Sequence, residues 1–241
     1  MKTVDNVLIK IERFPNGYVF TYEDFMNEVN GREAVIKALN RLAASGRIAK
    51  LSKGKFYKSE STPFGNLEPD RYQVVKDLLE KDGRTIGYLT GLSTYNQLGL
   101  STQVSNVIQI GKNETRPKFK RGNYTIAFVR QKNTITKDSI PLLQMLDAMR
   151  YIKKIPDTTV PDAFGRIRSI ISTLGNSERS SMVRLAKKYP PATRALLGAI
   201  LSSLGDEDTA KPLLASLNPI STYPFTGLTA LLPEATKWNI V

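Results

Sequence analysis

Apolar positions along the first sixty residues change period twice. Val4, Val7, Leu8 and Ile11 stand three and four apart, the spacing of one helix face, so residues 3–12 are expected to form an amphipathic helix. "PNG" at residues 15–17 forces a turn. Thr21 precedes Asp24 by three residues, close to a capping-box pattern, and opens a short second helix with Phe25 and Val29 facing inward. Asn30 and Glu33 repeat that start signal before a third helix over residues 31–45. Its Val35, Ala38, Leu39 and Leu42 share one face, and Gly46 stands where a left-handed C-terminal cap belongs. The period then falls to two. Ile48, Leu51 and Phe56 alternate with basic residues around Lys53-Gly54, which reads as two strands joined by a glycine turn. Three helices followed by a hairpin is the order of a winged helix-turn-helix.

The polar stretch "SESTPFGNLEPD" (residues 59–70), with two prolines and a glycine, reads as a linker. The division expected is a winged-helix DNA-binding domain over 1–60 and a larger domain over 68–241. In the latter, Val74, Val75, Leu78 and Leu79 mark a helix over 71–80, and residues 85–100 contain another. Residues 106–112 and 123–130 are β-rich runs. From Asp138 onward, apolar periods at Leu142, Leu143, Leu146 and Met149, then Ile167, Ile170, Ile171 and Leu174, then Met182 and Leu185, then Leu196, Leu197, Ile200 and Leu201 indicate four or more helices. The fold class expected is therefore α+β and mostly helical, with a helical C-terminal half. The proline-rich last thirty residues carry the one tryptophan, Trp238, and are expected to dock as an ordered tail.

A length of 241 residues suits two domains, one of them small. The absence of both cysteine and histidine removes disulfides, thiolate nucleophiles, zinc sites of the usual type and the commonest general base. The reading is of a protein that is not an enzyme and has no cofactor. No apolar run approaches the length needed to span a bilayer, and the N-terminus lacks the features of a secretory signal, so a cytoplasmic protein without membrane contact is expected.

The formal charge of +13 attracts polyanions, and it is not evenly spread. Residues 1–30 hold three cations and five acids, whereas residues 31–58 hold eight cations (Arg32, Lys37, Arg41, Arg47, Lys50, Lys53, Lys55, Lys58) against Glu33. On the third helix Lys37, Asn40, Arg41 and Ala44 lie opposite the apolar face. Arginine reads guanine edges and asparagine reads adenine edges in the major groove, so Asn40 and Arg41 are the first candidates for base contact and Lys37 the next. Arg32, Arg47 and the hairpin lysines Lys50, Lys53 and Lys55 are candidates for phosphate contact, which supplies affinity and salt dependence. A solvated or protein-binding face is the alternative for the same charges. In the loop over 112–121, Arg116, Lys118, Lys120 and Arg121 surround Phe119, which suits either a second polyanion contact or a solvated hairpin tip. Ten further cations between Arg150 and Arg194, against three acids, suit another such contact or plain solvated helix faces.

The stretches "NGYVFTYEDF...REAVIKALNRLAASGRIAKLSKGKFYKS", "GYLTGLSTYNQLGLSTQVSNVIQIGKN" and "LLQMLDAMRYIKKIP" together resemble the AbiEi-type antitoxins of type IV toxin-antitoxin (abortive infection) operons. The resemblance runs from about Asn16 to Pro156, and "GLSTYNQLGLSTQ" is its most discriminating segment. It implies a winged helix that binds operator DNA and represses its own operon, and a second domain that counteracts a nucleotidyltransferase-like toxin. Direct contact with the toxin and a monomeric or dimeric state on DNA are both left open. Taken by itself, "TGLSTYNQLGL" reads as a packed helix end stopped at Gly99 rather than a polar pocket. Two other functions fit the residues: a ligand-responsive winged-helix transcription factor, and a metal-dependent nuclease using Asp138, Asp147, Asp157 and Asp162.

Overall fold

The computed structural model describes residues 3–27, 31–63, 65–232 and 234–241. They form two compact units, one of residues 1–77 with 119–125, the other of residues 78–118 with 126–241. Together they make an α+β protein rich in helix.

The first unit opens with α1 (Thr3–Arg13), then β1 (Val19–Phe20), a 3-10 turn (Tyr22–Phe25), α2 (Arg32–Ala44) and the hairpin of β2 (Ala49–Ser52) and β3 (Lys55–Tyr57). The hairpin turns at Lys53-Gly54, and β1 pairs with β3 to give a three-stranded antiparallel sheet in the order β1-β3-β2. Val7, Ile11, Phe20, Phe25, Val35, Leu39, Ile48 and Phe56 are the buried centre, so the first helix, the third helix and the hairpin each contribute apolar residues to one core. Phe14, Phe20 and Phe25 pack with ring centroids 5.3–6.0 Å apart, within the range of favourable aromatic pairs. This is a winged helix-turn-helix.

The second helix is shorter than expected, a single 3-10 turn. Its capping pattern does form: the Thr21 N–H donates to the Asp24 carboxylate at 2.8 Å, and Thr21 Oγ1 accepts from the Glu23 N–H at 3.2 Å. Val29 and Asn30, to which the sequence assigns an inward face and a cap, lie outside the described residues. Gly31, with φ +109°, occupies the position before α2 and offers no side-chain cap. At the other end Gly46 has φ +73°; its N–H donates to the Ala43 carbonyl and that of Arg47 to the Leu42 carbonyl. That pair of bonds closes a helix with a left-handed glycine, as anticipated.

The linker differs from its reading. Residues 59–70 contain a small antiparallel hairpin, β4 (Glu60–Thr62) with β5 (Gly65–Leu67), in which the Thr62 hydroxyl donates to the Gly65 carbonyl at 2.7 Å. The first unit then continues into α3 (Arg71–Leu79). Val74 is fully buried, and the Gln73 side chain accepts from the N–H of Val19 at 3.2 Å, which holds this helix to the winged helix.

After α3 the chain runs through the short pair β6 (Glu80–Lys81) and β7 (Arg84–Thr85), then β8 (Gly87–Thr90), α4 (Leu92–Gln97), β9 (Val107–Lys112), β10 (Phe119–Arg121) and β11 (Tyr124–Arg130). The sheet order is β10-β11-β9-β8, and the tip of the β10-β11 hairpin, residues 119–125, is counted with the first unit. Strand β8 is absent from the sequence reading of residues 85–100 because its glycine-led "GYLT" has too little alternation. The packed helix end was legible there: Thr94, Tyr95 and Leu100 are buried, and Gly99 has φ +70°.

Helices α5 (Ile140–Arg150), α6 (Val160–Ser172), α7 (Asn176–Ala186), α8 (Pro191–Ser203) and α9 (Glu207–Leu214) form the helical C-terminal half. The last residues return as an ordered tail. Phe225 donates to the Val241 carbonyl at 2.8 Å, and Trp238 is buried with its indole N–H on the Ser202 hydroxyl at 3.2 Å. The Trp238 ring fills the space where a Cβ at Gly198 of α8 would stand. Gly198→Ala is therefore expected to cost about 1–3 kcal/mol through overpacking, read as a lower urea midpoint with red-shifted fluorescence from the single tryptophan.

Candidate nucleic-acid interface

Helix α2 carries its apolar residues inward and leaves Arg32, Lys37, Asn40 and Arg41 exposed. Arg32 stacks over the Tyr22 ring, 4.5 Å from its centroid, which orders the guanidinium at the start of the helix. The Asn40 amide donates to the Ile36 carbonyl at 3.0 Å, a surface bond that a base edge can exchange. Arg47, Lys50 and Lys53 are also exposed, at the end of α2 and along the hairpin. Among the described residues none of Lys37, Arg41, Arg47, Lys50 and Lys53 is in an ion pair.

Three cations near this face serve the fold instead. Lys58 donates to the Glu12 and Phe14 carbonyls at 2.9 and 3.0 Å. Lys55, assigned to phosphate from the sequence, is half-buried and pairs with Asp77 at 3.2 Å. Arg121 is the clearest correction. It is 6% exposed, forms a two-pronged bond to Asp77 at 2.6 and 3.1 Å, and donates to the Val74 carbonyl at 2.8 Å. It therefore cannot present its charge to a ligand.

Of the four loop residues Arg116, Lys118, Lys120 and Arg121, the first three are exposed and Arg121 is buried; Arg116 lies over the Phe128 ring at 5.4 Å. On the strand the side chains alternate, which turns Arg121 inward and Lys120 outward; Phe-Lys-Arg itself carries no alternation that marks this. In the first unit Gly122 lies against the wing, where an added Cβ would stand 3.2 Å from Leu51 Cδ1. Lys120, exposed on the same tip, adds to the cations of the wing.

Asp77 holds this arrangement together. Burial works to raise its pKa, but the hydrogen bond and charge of Arg121, helped by Lys55, outweigh it and hold the carboxyl below its ordinary value. The residue carried no motif in the sequence, and its partner is 44 positions away.

In the second unit, much of the basic run after Arg150 is spent on backbone carbonyls. Arg166 donates to Leu98, Arg168 to Ser203, Arg179 to Ser172 and Arg194 to Ser216, each at or just after a helix C-terminus. Cations there satisfy orphan carbonyls and the negative end of the helix dipole. The acids weighed for a nuclease are scattered. Asp147 is buried among hydroxyls, Asp162 bonds the Thr159 hydroxyl and Asp157 accepts from Gln103. Among the described residues no group of three or more acids stands close enough to hold a metal ion.

A winged helix-turn-helix whose longest helix has an exposed cationic face, joined to an α+β unit, is the class of protein that fold and surface define. The chain belongs to the DUF6088 family, described as a family of unknown function, which it matches over residues 6–182. No curated protein matches it. Among solved structures it is similar to the RV2827C protein from Mycobacterium tuberculosis, with 19% identity, a TM-score of 0.48, and coverage of 98% of this chain and 90% of that one. No helix among the described residues is long and apolar enough to cross a membrane.

Proposed function

We propose that the chain is the antitoxin of a type IV toxin-antitoxin system: its winged helix binds operator DNA and represses its own operon, and its second unit counteracts a nucleotidyltransferase-like toxin. The observation that carries the DNA-binding half is the segregated face of α2 and the wing, where Lys37, Asn40, Arg41, Arg47, Lys50 and Lys53 are exposed with no acid among the described residues paired to them. The antitoxin half is supported by the resemblance in "GLSTYNQLGLSTQ" and its flanking stretches.

The face divides by chemistry. Arg41 and Asn40 reach base edges from the middle of α2, and Lys37 stands beside them; Lys50 and Lys53 meet phosphate from the hairpin. Arg41→Ala is expected to lose about 1–3 kcal/mol of discrimination at one base pair. Lys53→Ala is expected to weaken all sequences alike and to flatten the dependence of log affinity on log salt by about one. Salt titrations of the full chain on its own upstream DNA, beside scrambled duplex, measure both. Identical behaviour of the two variants, or equal affinity for both duplexes, would defeat the assignment of a reader to α2. Growth rescue on co-expression with a neighbouring nucleotidyltransferase-like gene tests the antitoxin half.

A further inference from the structure

Where β11 ends, Arg130 and Lys132 flank Gln131 on a backbone that is bonded at nearly every polar atom. Gln131 N–H donates to the Lys112 carbonyl at 2.8 Å, and the Asn113 amide bridges the carbonyls of Gln131 and Asn133, both at 2.7 Å. The Gln131 side chain closes back on the Asn133 N–H at 2.8 Å, and the Asn133 amide donates to the Leu185 carbonyl at the end of α7. Lys188 Nζ in turn donates to the Lys132 carbonyl at 3.3 Å. Arg150 closes α5, where the helix dipole favours a cation.

These elements enclose a recess of about 270 Å³, lined by Arg130, Lys132, Arg150 and Lys188, with Gln131 and Tyr189 at its base. Pro190 and Pro191 also line it and bring no N–H, and the Gln131 amide and Tyr189 hydroxyl donate to Tyr88, Tyr189 and Asp147, which leaves the four cations to meet a ligand. No acid lines it, and among the described residues none of the four cations is in an ion pair. Asp147, one turn before Arg150, is buried and held by the hydroxyls of Tyr88, Thr90 and Tyr189. Arg150 also lies over the Tyr151 ring at 5.1 Å and its charge acts on Asp147, so the four exposed cations converge on one concavity with no acid in its lining, and an anion with several charges can meet them together.

We propose that this recess is a binding site for a terminal phosphate carrying two or more negative charges, such as the polyphosphate of a nucleotide or the phosphorylated end of an oligonucleotide. A terminal phosphate brings two or more charges to the four cations, whereas a phosphodiester within a strand carries one. The inference concerns the second unit alone and stands independently of operator binding by the winged helix.

Calorimetry of the full chain with inorganic pyrophosphate, at fixed ionic strength, is the direct test. The exposed pair Arg130→Gln/Lys132→Gln is expected to weaken binding at least about tenfold, the loss of two charge-assisted hydrogen bonds, with unchanged thermal stability in the unliganded state. Lys137→Gln, an exposed cation outside the recess, is expected to leave binding unchanged. Pyrophosphate displaced more effectively by ATP than by a 5′-phosphorylated oligonucleotide identifies a nucleotide as the source, and the reverse order identifies a nucleic-acid end. Absence of pyrophosphate binding, or an equal loss in Lys137→Gln, would each overturn the site.

Discussion

Asp147→Ala is expected to destabilise the second unit by about 3–5 kcal/mol, read as a lower urea midpoint for the full chain. The Asp147 carboxylate accepts from the hydroxyls of Tyr88 (2.8 Å), Thr90 (2.9 Å) and Tyr189 (2.8 Å), and the Gln131 amide donates to both tyrosine oxygens at 2.8 Å. Removing the acceptor at the centre strands three buried donors at once. Tyr88→Phe, which removes one donor and leaves the carboxylate two, is expected to cost about 1 kcal/mol. If the two variants melted alike, the carboxylate would not be the organising group.

The same residue gives the pH dependence a sign. Burial pushes the Asp147 carboxyl above its ordinary range, against the hydroxyl donors and the charge of Arg150, which pull it down. A carboxyl raised in the folded state binds its proton more tightly there. Its stabilising contribution is thus complete below the ordinary carboxylate pKa and declines as pH rises through the folded value. Urea midpoints measured from pH 4 upward should show this decline in the wild type and lose it in Asp147→Asn.

Asp77→Ala carries the second large effect, about 2–3 kcal/mol, between the values for exposed and buried ion pairs because Asp77 is 39% exposed and Arg121 only 7% in their side chains. Its loss leaves the Arg121 guanidinium buried with only the Val74 carbonyl and the Phe119 ring as partners and also frees Lys55. The double change Asp77→Leu/Arg121→Met, which removes both charges, should recover most of the stability, and a double-mutant cycle measures the coupling. The pH sign is opposite to that of Asp147. With its pKa lowered in the fold, Asp77 contributes fully above the ordinary carboxylate value and loses that contribution as pH falls through the depressed one. The variant should also weaken binding to upstream DNA, because the tip carrying Lys120 is clamped to the wing through this carboxylate.

The winged helix was legible because its information is local. The spacing of Val35, Ala38, Leu39 and Leu42 fixes which side of α2 is buried, and therefore which side carries Lys37, Asn40 and Arg41. Gly46 and the Thr21-Asp24 pair mark ends that depend on a few neighbours. What escaped the reading depends on residues far apart in the chain. Arg121 looks like one more cation in a basic loop until Asp77 stands beside it, and Asp147 looks like a stray acid until Tyr88 and Tyr189 close over it from positions 59 before and 42 after. The recess shares that fate: Arg130 and Lys132 follow an apolar strand without any motif, and Arg150 and Lys188 join them only through packing.

Because the first unit draws residues 119–125 from beyond the start of the second, it is not encoded as one continuous segment. A nascent chain exposes α2 and the wing early, yet their clamp waits until the ribosome has passed Arg121. A transcript cut short at residue 70 would encode every candidate base-reading side chain and still lack the acid and the arginine that pin the hairpin tip to the wing.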